Sequence, residues 1–242
     1  MSENQSDAFG ALSTNQLPLQ AASWLRAALG LAPDQDAFPW QFELLSRFVK
    51  GLEVATLDIP TGLGKTAVMA IWLVARALGA KLPRRLVYVV DRRAVVDQAT
   101  DVAESLRLWV SQDRAVADAL GLRGQPLPIF TLRGQYVDNR KWLDDPSAPA
   151  IVLGTVDMIG SRLLFEGYRC SRRMRPYHAA LLGADSLIAL DEAHLVPAFE
   201  ALVRSAVENK LLKPQASRRG AVPPSLMMSL SATGRATTVG TL

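Results

Sequence analysis

The stretch Pro60-Thr61-Gly62-Leu63-Gly64-Lys65-Thr66 stands between a predicted strand and a predicted helix, and this order decides the fold. Residues 54–59 form a short, largely apolar run that is typical of a buried strand, and the stretch 65–78 is long and apolar enough for a helix. Glycines between a strand and a helix let backbone N–H groups turn inward around a phosphate, and the helix N-terminus adds a favourable dipole. The stretch therefore predicts a phosphate-binding loop.

The side chains of this loop have roles that follow from their chemistry. Lys65 is expected to neutralise phosphate oxygens, and the Thr66 hydroxyl is expected to bind Mg²⁺. Three further residues, Thr61, Gly62 and Gly64, are expected to contact the nucleotide. The general phosphate-loop pattern has a glycine where Ile59 stands, whereas the shorter form seen here is typical of nucleic-acid motors. A glycine-rich turn without a ligand is the alternative.

The rest of the chain repeats the order of short apolar runs and longer amphipathic ones. Strands are predicted at 54–59, 86–90, 129–132, 151–155, 186–190 and 226–230. Helices are predicted at 21–29, 40–50, 65–78, 94–110, 158–165 and 199–211. Short strands that are apolar on both faces and separated by helices indicate an α/β fold, a doubly wound and mostly parallel sheet with helices on both faces. Residues 135–149 are polar and are expected on the surface.

Length and composition exclude several classes of protein. The chain has 242 residues, of which 49% are apolar and 21% charged, as in an ordinary globular domain. One cysteine and two histidines exclude a disulfide framework and a metal centre rich in cysteine or histidine. No apolar run is long enough to span a membrane, and the polar N-terminus does not resemble a signal peptide, so a cytoplasmic location is expected. We expect residues 1–18 to be a disordered lead and residues 19–242 to form one domain.

A second motif, Asp191-Glu192-Ala193-His194, directly follows the apolar run 187–190. Asp191 at the end of a strand is expected to hold Mg²⁺, directly or through water, and Glu192 to polarise the attacking water. An acidic helix cap would explain Asp191 but not His194. A third motif, Ser229-Leu230-Ser231-Ala232-Thr233, ends the last strand. Its residues Ser231 and Thr233, together with His194, are expected to report the state of the nucleotide at the acidic motif to a DNA site. A strand end rich in Ser and Thr is also common without such a role.

Other polar residues follow the predicted strands or precede the loop. Gln41 is expected to read the edge of adenine, although a glutamine on a helix surface is the alternative. Phosphate-contacting groups stand at the carboxyl ends of the second, third and fourth strands: Arg92, Arg133, Gly134 and Thr155. The net charge of +4 allows an acidic partner. The arginines stand in groups, each of which is explained equally well as solvated surface: Arg84-Arg85, Arg92-Arg93, the run Arg169 to Arg175, and Arg218-Arg219.

This order of motifs resembles the first RecA-like lobe of superfamily 2 DEAH-box helicases over residues 30–242. The finer resemblance is to the helicase–nuclease of type I CRISPR systems, most like the type I-U (I-G) branch. The segments that carry it are VYVVDRRAVVDQA from Val87, the block 152–183, LDEAHL from Leu190 and SLSATG from Ser229.

The resemblance implies an ATP-dependent DNA helicase of antiviral defence. ATP and Mg²⁺ would be its cofactors, and the residues that carry hydrolysis by resemblance are Lys65, Thr66, Asp191 and Glu192. Single-stranded DNA would pass near Thr155, Asp157 and Arg162. The implied protein partners are a second RecA-like lobe, in cis or in trans, and a CRISPR effector complex.

The chain departs from this family in two ways. The family has a second RecA-like lobe with arginine fingers and a histidine–aspartate nuclease domain, and we expect both to be absent from residues 1–242. Hydrolysis is then expected to be weak or absent without a second lobe. Another superfamily 2 translocase, of the restriction type, and a non-catalytic nucleotide-dependent binding module are the alternatives. A small-molecule kinase would not explain the second and third motifs together.

Overall fold

Six short strands pair in parallel in the computed structural model, which describes residues 17, 19–132, 145–168, 170–208 and 225–232. The strands are β1 (Thr56–Asp58), β2 (Arg85–Val90), β3 (Ile129–Leu132), β4 (Ala150–Thr155), β5 (Ser186–Leu190) and β6 (Leu226–Ser231). Their order in the sheet is β1-β6-β5-β2-β4-β3. Each strand coincides with a predicted one, so the parallel sheet expected from the sequence is confirmed. The predicted disordered lead, except Leu17, lies outside the described residues.

Helices precede β1 and lie between most of the later strands. They are α1 (Leu19–Ala28), α2 (Pro39–Val49), α3 (Val68–Ala77), α4 (Arg93–Gln112), α5 (Arg114–Ala119), α6 (Val156–Leu163), α7 (Arg175–Gly183) and α8 (Pro197–Glu208). Among the described residues, the 3-10 turns Lys65–Ala67 and Ala193–Leu195 follow β1 and β5. The sequence did not predict α5 and α7. No helix among the described residues has the length and apolarity that crossing a bilayer needs.

Both faces of the sheet are buried by helices. Alternate strand residues point to opposite sides of the sheet and so pack into two separate cores. On β2, Leu86 and Tyr88 pack into the larger core, which is covered by α1 to α5. Val87 and Val89 pack into the smaller core, together with residues of α6 to α8 such as Ile159. The apolar strands and the covering helices on both faces make this a doubly wound α/β fold, as predicted.

The strand register brings the carboxyl ends of the strands to one edge. Val89 pairs with Leu190, and the N–H of Asp191 donates to the carbonyl of Val89 at 2.8 Å. On the outer side, Asp58 pairs with Ser231. Polar residues from segments far apart in sequence therefore meet at this edge, where open α/β sheets place ligands.

The opposite edge is held by buried charges. Arg85 is 6% exposed, and its guanidinium donates to the carbonyls of Leu181 at 2.7 Å, Pro146 at 2.8 Å and Ala184 at 2.7 Å. Asp185 is 1% exposed and accepts from the backbone N–H of Arg84 at 3.0 Å. The interpretation of Arg84 and Arg85 as solvated surface is therefore wrong for Arg85, because its burial is compensated by three carbonyl acceptors.

A buried histidine of α7 lies near Arg162 of α6. His178 is 2% exposed, and burial, followed by the nearby charge of Arg162, lowers its pKa from 6.5 to about 4. The folded chain thus disfavours the imidazolium form, whereas the unfolded chain accepts the proton near the ordinary pKa. His178 accordingly contributes stability above pH 6.5, and that contribution is lost as the pH falls from 6.5 towards 4.

We expect the free energy of unfolding to fall on acidification more steeply for the wild type than for His178→Gln. Between about pH 7.5 and about pH 5 the difference between the two proteins should change by about 2 kcal/mol. Urea denaturation at both pH values measures it. Burial raises the pKa of Asp58 and of Asp191, which acts in the opposite direction in both proteins, so only the difference reports on His178. Identical pH dependence of the two proteins would contradict this assignment.

Candidate nucleotide site

The predicted phosphate loop joins β1 to α3 at the carboxyl edge of the sheet. Gly62 has φ +86° and Gly64 has φ +68°, a left-handed backbone region in which side chains other than glycine are strained. The N–H of Ile59 donates to the carbonyl of Ser231 at 2.9 Å, which fastens the start of the loop to β6. The turn Lys65–Ala67 then leads directly into α3.

The loop and the acidic motif meet through an ion pair. The Lys65 side chain is 8% exposed, and its Nζ lies 2.6 Å from Oε1 of Glu192. The Glu192 side chain is 26% exposed and lies immediately beyond β5. The structure thus brings together Lys65 and Glu192, two of the three residues that are predicted from the sequence to be catalytic.

Asp191, the third proposed catalytic residue, is held on both carboxylate oxygens. Its Oδ1 accepts from the backbone N–H of Glu192 at 3.0 Å, and its Oδ2 accepts from the hydroxyl of Tyr88 at 2.9 Å. Burial raises the pKa of Asp191, while the hydrogen bond from Tyr88 opposes that rise. Burial and the neighbouring Asp191 raise the pKa of Tyr88 well above its usual value, so the phenol remains a donor.

Sequence reasoning missed Tyr88. It stands in the apolar run of β2, where an aromatic residue is ordinarily interpreted as core, and it is indeed fully buried. The available signal was one hydroxyl in a strand that is otherwise aliphatic between Leu86 and Val90. A buried phenol needs a hydrogen-bond partner, and the end of the neighbouring strand provides one.

The acidic motif contains two further buried polar atoms. Oε2 of Glu192 and Nδ1 of His194 lie 3.4 Å apart, yet they are not aligned for a hydrogen bond, and neither atom has another partner among the described residues. Glu192 also has φ +48°, an uncommon backbone conformation for a side-chain-bearing residue. Such conformations concentrate at functional sites.

The oxygen atoms of this edge fit Mg²⁺ bound together with a nucleotide. Mg²⁺ is usually held by one or two carboxylates, substrate phosphates and water. The Thr66 hydroxyl and the Asp191 carboxylate supply oxygens of this kind, and the lone pairs of Asp191 are not exhausted by two hydrogen bonds. In the part of the chain that the structure describes, no group of three His, Cys, Asp or Glu residues could hold a metal without a nucleotide.

Two more polar features of this edge were not foreseen. Oδ1 of Asp58 is buried without a hydrogen-bond partner among the described residues, and burial raises the pKa of this carboxyl. The hydroxyl of Ser229 donates to Oε1 of Glu200 at 2.7 Å and accepts from Arg204 at 3.0 Å. This network ties β6 to α8, the helix that follows the acidic motif.

The predicted coupling residues have different placements. Ser231 ends β6 and contacts the start of the loop through its carbonyl, as described above. His194 lies beside Glu192, whereas Thr233 lies outside the described residues. Their coupling role stays a prediction.

Gln41, the predicted adenine-reading residue, lies at the start of α2. It is 5% exposed, and its Oε1 accepts from the backbone N–H of Phe38 at 2.9 Å. This contact caps the helix. The Phe38 ring is 46% exposed, and Nε1 of Trp40 is buried without a partner among the described residues. The interpretation of Gln41 as a surface glutamine is wrong, while its role towards a base stays a prediction.

The predicted nucleic-acid residues are not all at the surface. The Arg92 side chain is 77% exposed at the carboxyl end of β2, with its Nε 3.1 Å from Oδ2 of Asp91. Thr155 is 8% exposed, and its hydroxyl accepts from the N–H of Met158 at 3.4 Å, which caps α6. Arg133 and Gly134 lie outside the described residues.

Arg162 requires a correction. Its side chain is fully buried, its NH1 donates to the carbonyl of Met158 at 2.8 Å, and burial lowers the pKa of its guanidinium. A side chain with no exposed surface does not contact DNA, so its placement on a nucleic-acid path is wrong for this conformation. The sequence could not reveal this, because a buried arginine on a short helix has the same spacing as an exposed one.

We expect Glu192→Gln to tighten the binding of metal-free ADP by about fivefold. Phosphate oxygens must compete with Glu192 for Lys65, and a neutral amide is a weaker acceptor than a carboxylate by about 1 kcal/mol. Titration of a fluorescent ADP in EDTA measures this change. Glu43→Gln is the matched control, since Glu43 is paired with Arg47 at 2.8 Å on α2. Unchanged or weaker binding by Glu192→Gln would show that the ion pair does not oppose phosphate.

Comparisons with known proteins agree with this architecture. The model of the family described as "Type III restriction enzyme, res subunit" matches residues 35–234. The DUF1998 helicase MrfA bound to DNA has 18% identity and a TM-score of 0.56, and the match covers 90% of this chain and 27% of that chain. The yeast DEAD-box splicing factor Prp28 has 15% identity and a TM-score of 0.55, and the match covers 91% of this chain and 46% of that chain. No curated protein matches.

These solved structures show the fold alone, which matches that of RecA-like helicase lobes. The chain spans about a quarter of the MrfA chain and slightly under half of the Prp28 chain. The family match covers well over half of the 242 residues and includes both the phosphate loop and the acidic motif. The chain therefore belongs to the family of the type III restriction enzyme res subunit.

Proposed function

We propose that the chain is the ATP-binding lobe of an ATP-dependent DNA helicase or translocase, and that it binds Mg·ATP and single-stranded DNA. The observation that carries the proposal is the 2.6 Å contact between Lys65 and Glu192. In this contact the only buried lysine of the described residues, which belongs to the phosphate loop, meets the acidic motif. In a glycine-rich turn without a ligand, nothing would require a buried cation and two carboxylates at the same edge.

Each side chain has a distinct role in this proposal. Lys65 exchanges Glu192 for phosphate oxygens when the nucleotide binds, and Glu192 is then released to orient the attacking water. Thr66 and Asp191 would hold Mg²⁺, which neutralises charge that develops on the phosphates. Gln41 would select the base through its amide group.

The nucleic acid is proposed to bind at the carboxyl edge of the sheet. Arg92 is exposed there, and the N-terminus of α6 is capped by Thr155 at the same edge. Both groups suit phosphate contacts, which fix position without reading sequence. The MrfA match adds support of a general kind, because that helicase is described as bound to DNA.

A second RecA-like lobe, in cis or in trans, is proposed to complete the motor. The chain spans 27% of the MrfA chain and 46% of the Prp28 chain, which leaves room in such proteins for further domains. An arginine supplied by another element can accelerate phosphoryl transfer by roughly 10³–10⁵. Residues 1–242 alone are therefore proposed to hydrolyse ATP slowly.

The finer proposal is that the motor serves CRISPR antiviral defence. Its support is the resemblance of the block 152–183, which forms β4, α6 and α7, to the type I-U helicase–nuclease. The family description supports a restriction-type translocase to a similar degree. A gel-shift assay with a purified CRISPR effector complex separates the two proposals. Recruitment of this chain only when the complex is bound to its target DNA supports the CRISPR role. Absence of recruitment supports a restriction-type translocase.

The central experiment compares nucleotide binding by the wild type and Lys65→Ala. Removal of the main cation from the phosphates should weaken the binding of fluorescent Mg·ADP at least tenfold, which corresponds to about 1.4 kcal/mol. Lys81→Ala is the matched control, because Lys81 is an exposed lysine. It should bind like the wild type. Equal affinity for Lys65→Ala and the wild type would refute the phosphate-loop assignment.

Single-stranded DNA binding should be weak, independent of sequence and sensitive to salt. If two to four phosphates are neutralised, the slope of log K against log salt is about −1.4 to −2.8, since each phosphate contributes about −0.7. Arg92→Ala should make the slope shallower by about 0.7 and leave nucleotide binding unchanged. Fluorescence anisotropy in a salt series measures the slope. Arg114→Ala is the control, because Arg114 is exposed and paired with Asp118 on α5.

A competing surface follows α6. Arg172 and Arg173 are exposed there, close in sequence to Tyr168 and Tyr177, whose exposed fractions are 59% and 62%. If DNA binds to this surface, replacement of both arginines by glutamate abolishes binding and Arg92→Ala has no effect. A flat slope for the wild type would contradict both surfaces.

A further inference from the structure

We propose that Tyr88 is a positioning residue that orients the Asp191 carboxylate for Mg²⁺. This inference rests on the proposed nucleotide function. Its basis is the 2.9 Å hydrogen bond from the Tyr88 hydroxyl to Oδ2 of Asp191, made by a side chain that is fully buried. Tyr88 itself would touch neither nucleotide nor metal, and acts only through the carboxylate.

The strand register explains why this tyrosine reaches the site. Tyr88 on β2 pairs with Ala189 on β5, and both side chains face the larger core. Asp191 follows Ala189 by two residues, so alternation along an extended strand directs it to the same face. Ala189 has a small side chain, which leaves the phenol room to extend along β5 towards Asp191. The contact therefore follows from the fold.

The second oxygen of Asp191 makes the orientation specific. Oδ1 accepts from the backbone N–H of Glu192 at 3.0 Å, so the carboxylate is held at two points, one on its own strand and one on β2. Two fixed hydrogen bonds define the rotation of the carboxylate plane, whereas either bond alone leaves it free to turn. Outer hydrogen bonds of this kind commonly fix metal-binding carboxylates, and their loss typically reduces metal affinity by about 10–100-fold.

A purely structural role would give a different result. A buried phenol that only satisfied its own hydroxyl would affect stability, but not the contribution of Mg²⁺ to nucleotide binding. The measurable quantity is therefore the ratio of ADP affinity with saturating Mg²⁺ to ADP affinity in EDTA. This ratio reports on the metal separately from the phosphate loop, and it does not depend on catalysis.

Tyr88→Phe removes the hydroxyl and preserves the ring. We expect it to lower the Mg²⁺ enhancement of fluorescent ADP binding by about tenfold and to leave the affinity in EDTA within about twofold of the wild type. Trp72→Phe is the matched control, because Trp72 is also fully buried and its indole N–H donates to the carbonyl of Pro83 at 3.1 Å. Loss of this indole N–H should lower the stability of the fold without changing the Mg²⁺ enhancement of ADP binding. Thermal melting verifies that both variants are folded.

The mechanism through Asp191 is tested by combining variants. In an Asp191→Asn background, Tyr88→Phe should have no further effect on the enhancement. An unchanged enhancement in Tyr88→Phe alone, or an equal loss of enhancement in Trp72→Phe, would overturn the positioning role. Nucleotide binding by the wild type in the same experiment would still uphold the proposed function. A wild type that binds no ADP in EDTA or in Mg²⁺ would instead refute the proposed function and this inference with it.

Discussion

The parallel pairing of β2 with β5 sets the geometry on which the candidate site depends. Because Tyr88 lies beside Ala189, the acidic motif begins where β2 still provides hydrogen-bond partners. The backbone of Asp191 is held by Val89, and its side chain is held by Tyr88. A shift of one residue in this register would turn Asp191 to the opposite face and away from the phosphate loop.

Burial of both faces of the sheet confines polar chemistry to its two edges. At the amino edge, Arg85 and Asp185 are buried, and backbone groups satisfy both of them. At the carboxyl edge, the Lys65–Glu192 pair is partly exposed, and Oε2 of Glu192 has no hydrogen-bond partner among the described residues. The two edges therefore differ in kind. The amino edge has its charges compensated by backbone groups, whereas the carboxyl edge has an ion pair that is partly open to solvent.

Much of the fold could be predicted because strand burial and loop chemistry are local signals. Apolar runs of about five residues located all six strands, and the glycines of the loop at positions 62 and 64 do adopt the backbone that only glycine tolerates easily. The helices α5 and α7 were not predicted, because α5 follows α4 with only Asp113 between them and α7 begins within the arginine-rich run 169–175. Arg162 was misplaced because its helix has a buried side that polar spacing does not reveal. Tyr88 and Glu200 were missed since their importance lies in partners on other strands, and Asp58 was missed because the burial of its carboxyl depends on the assembled sheet.

The sequence by itself determined the order of elements, the phosphate loop and the acidic motif, because these depend on neighbours along the chain. Only the tertiary structure decided which side chains meet. The ion pair between Lys65 and Glu192 joins residues 127 positions apart, and the bond between Tyr88 and Asp191 joins residues 103 positions apart. Such contacts depend on strand register and on which face each side chain occupies. Those are properties of the assembled sheet, and no local pattern of residues encodes them.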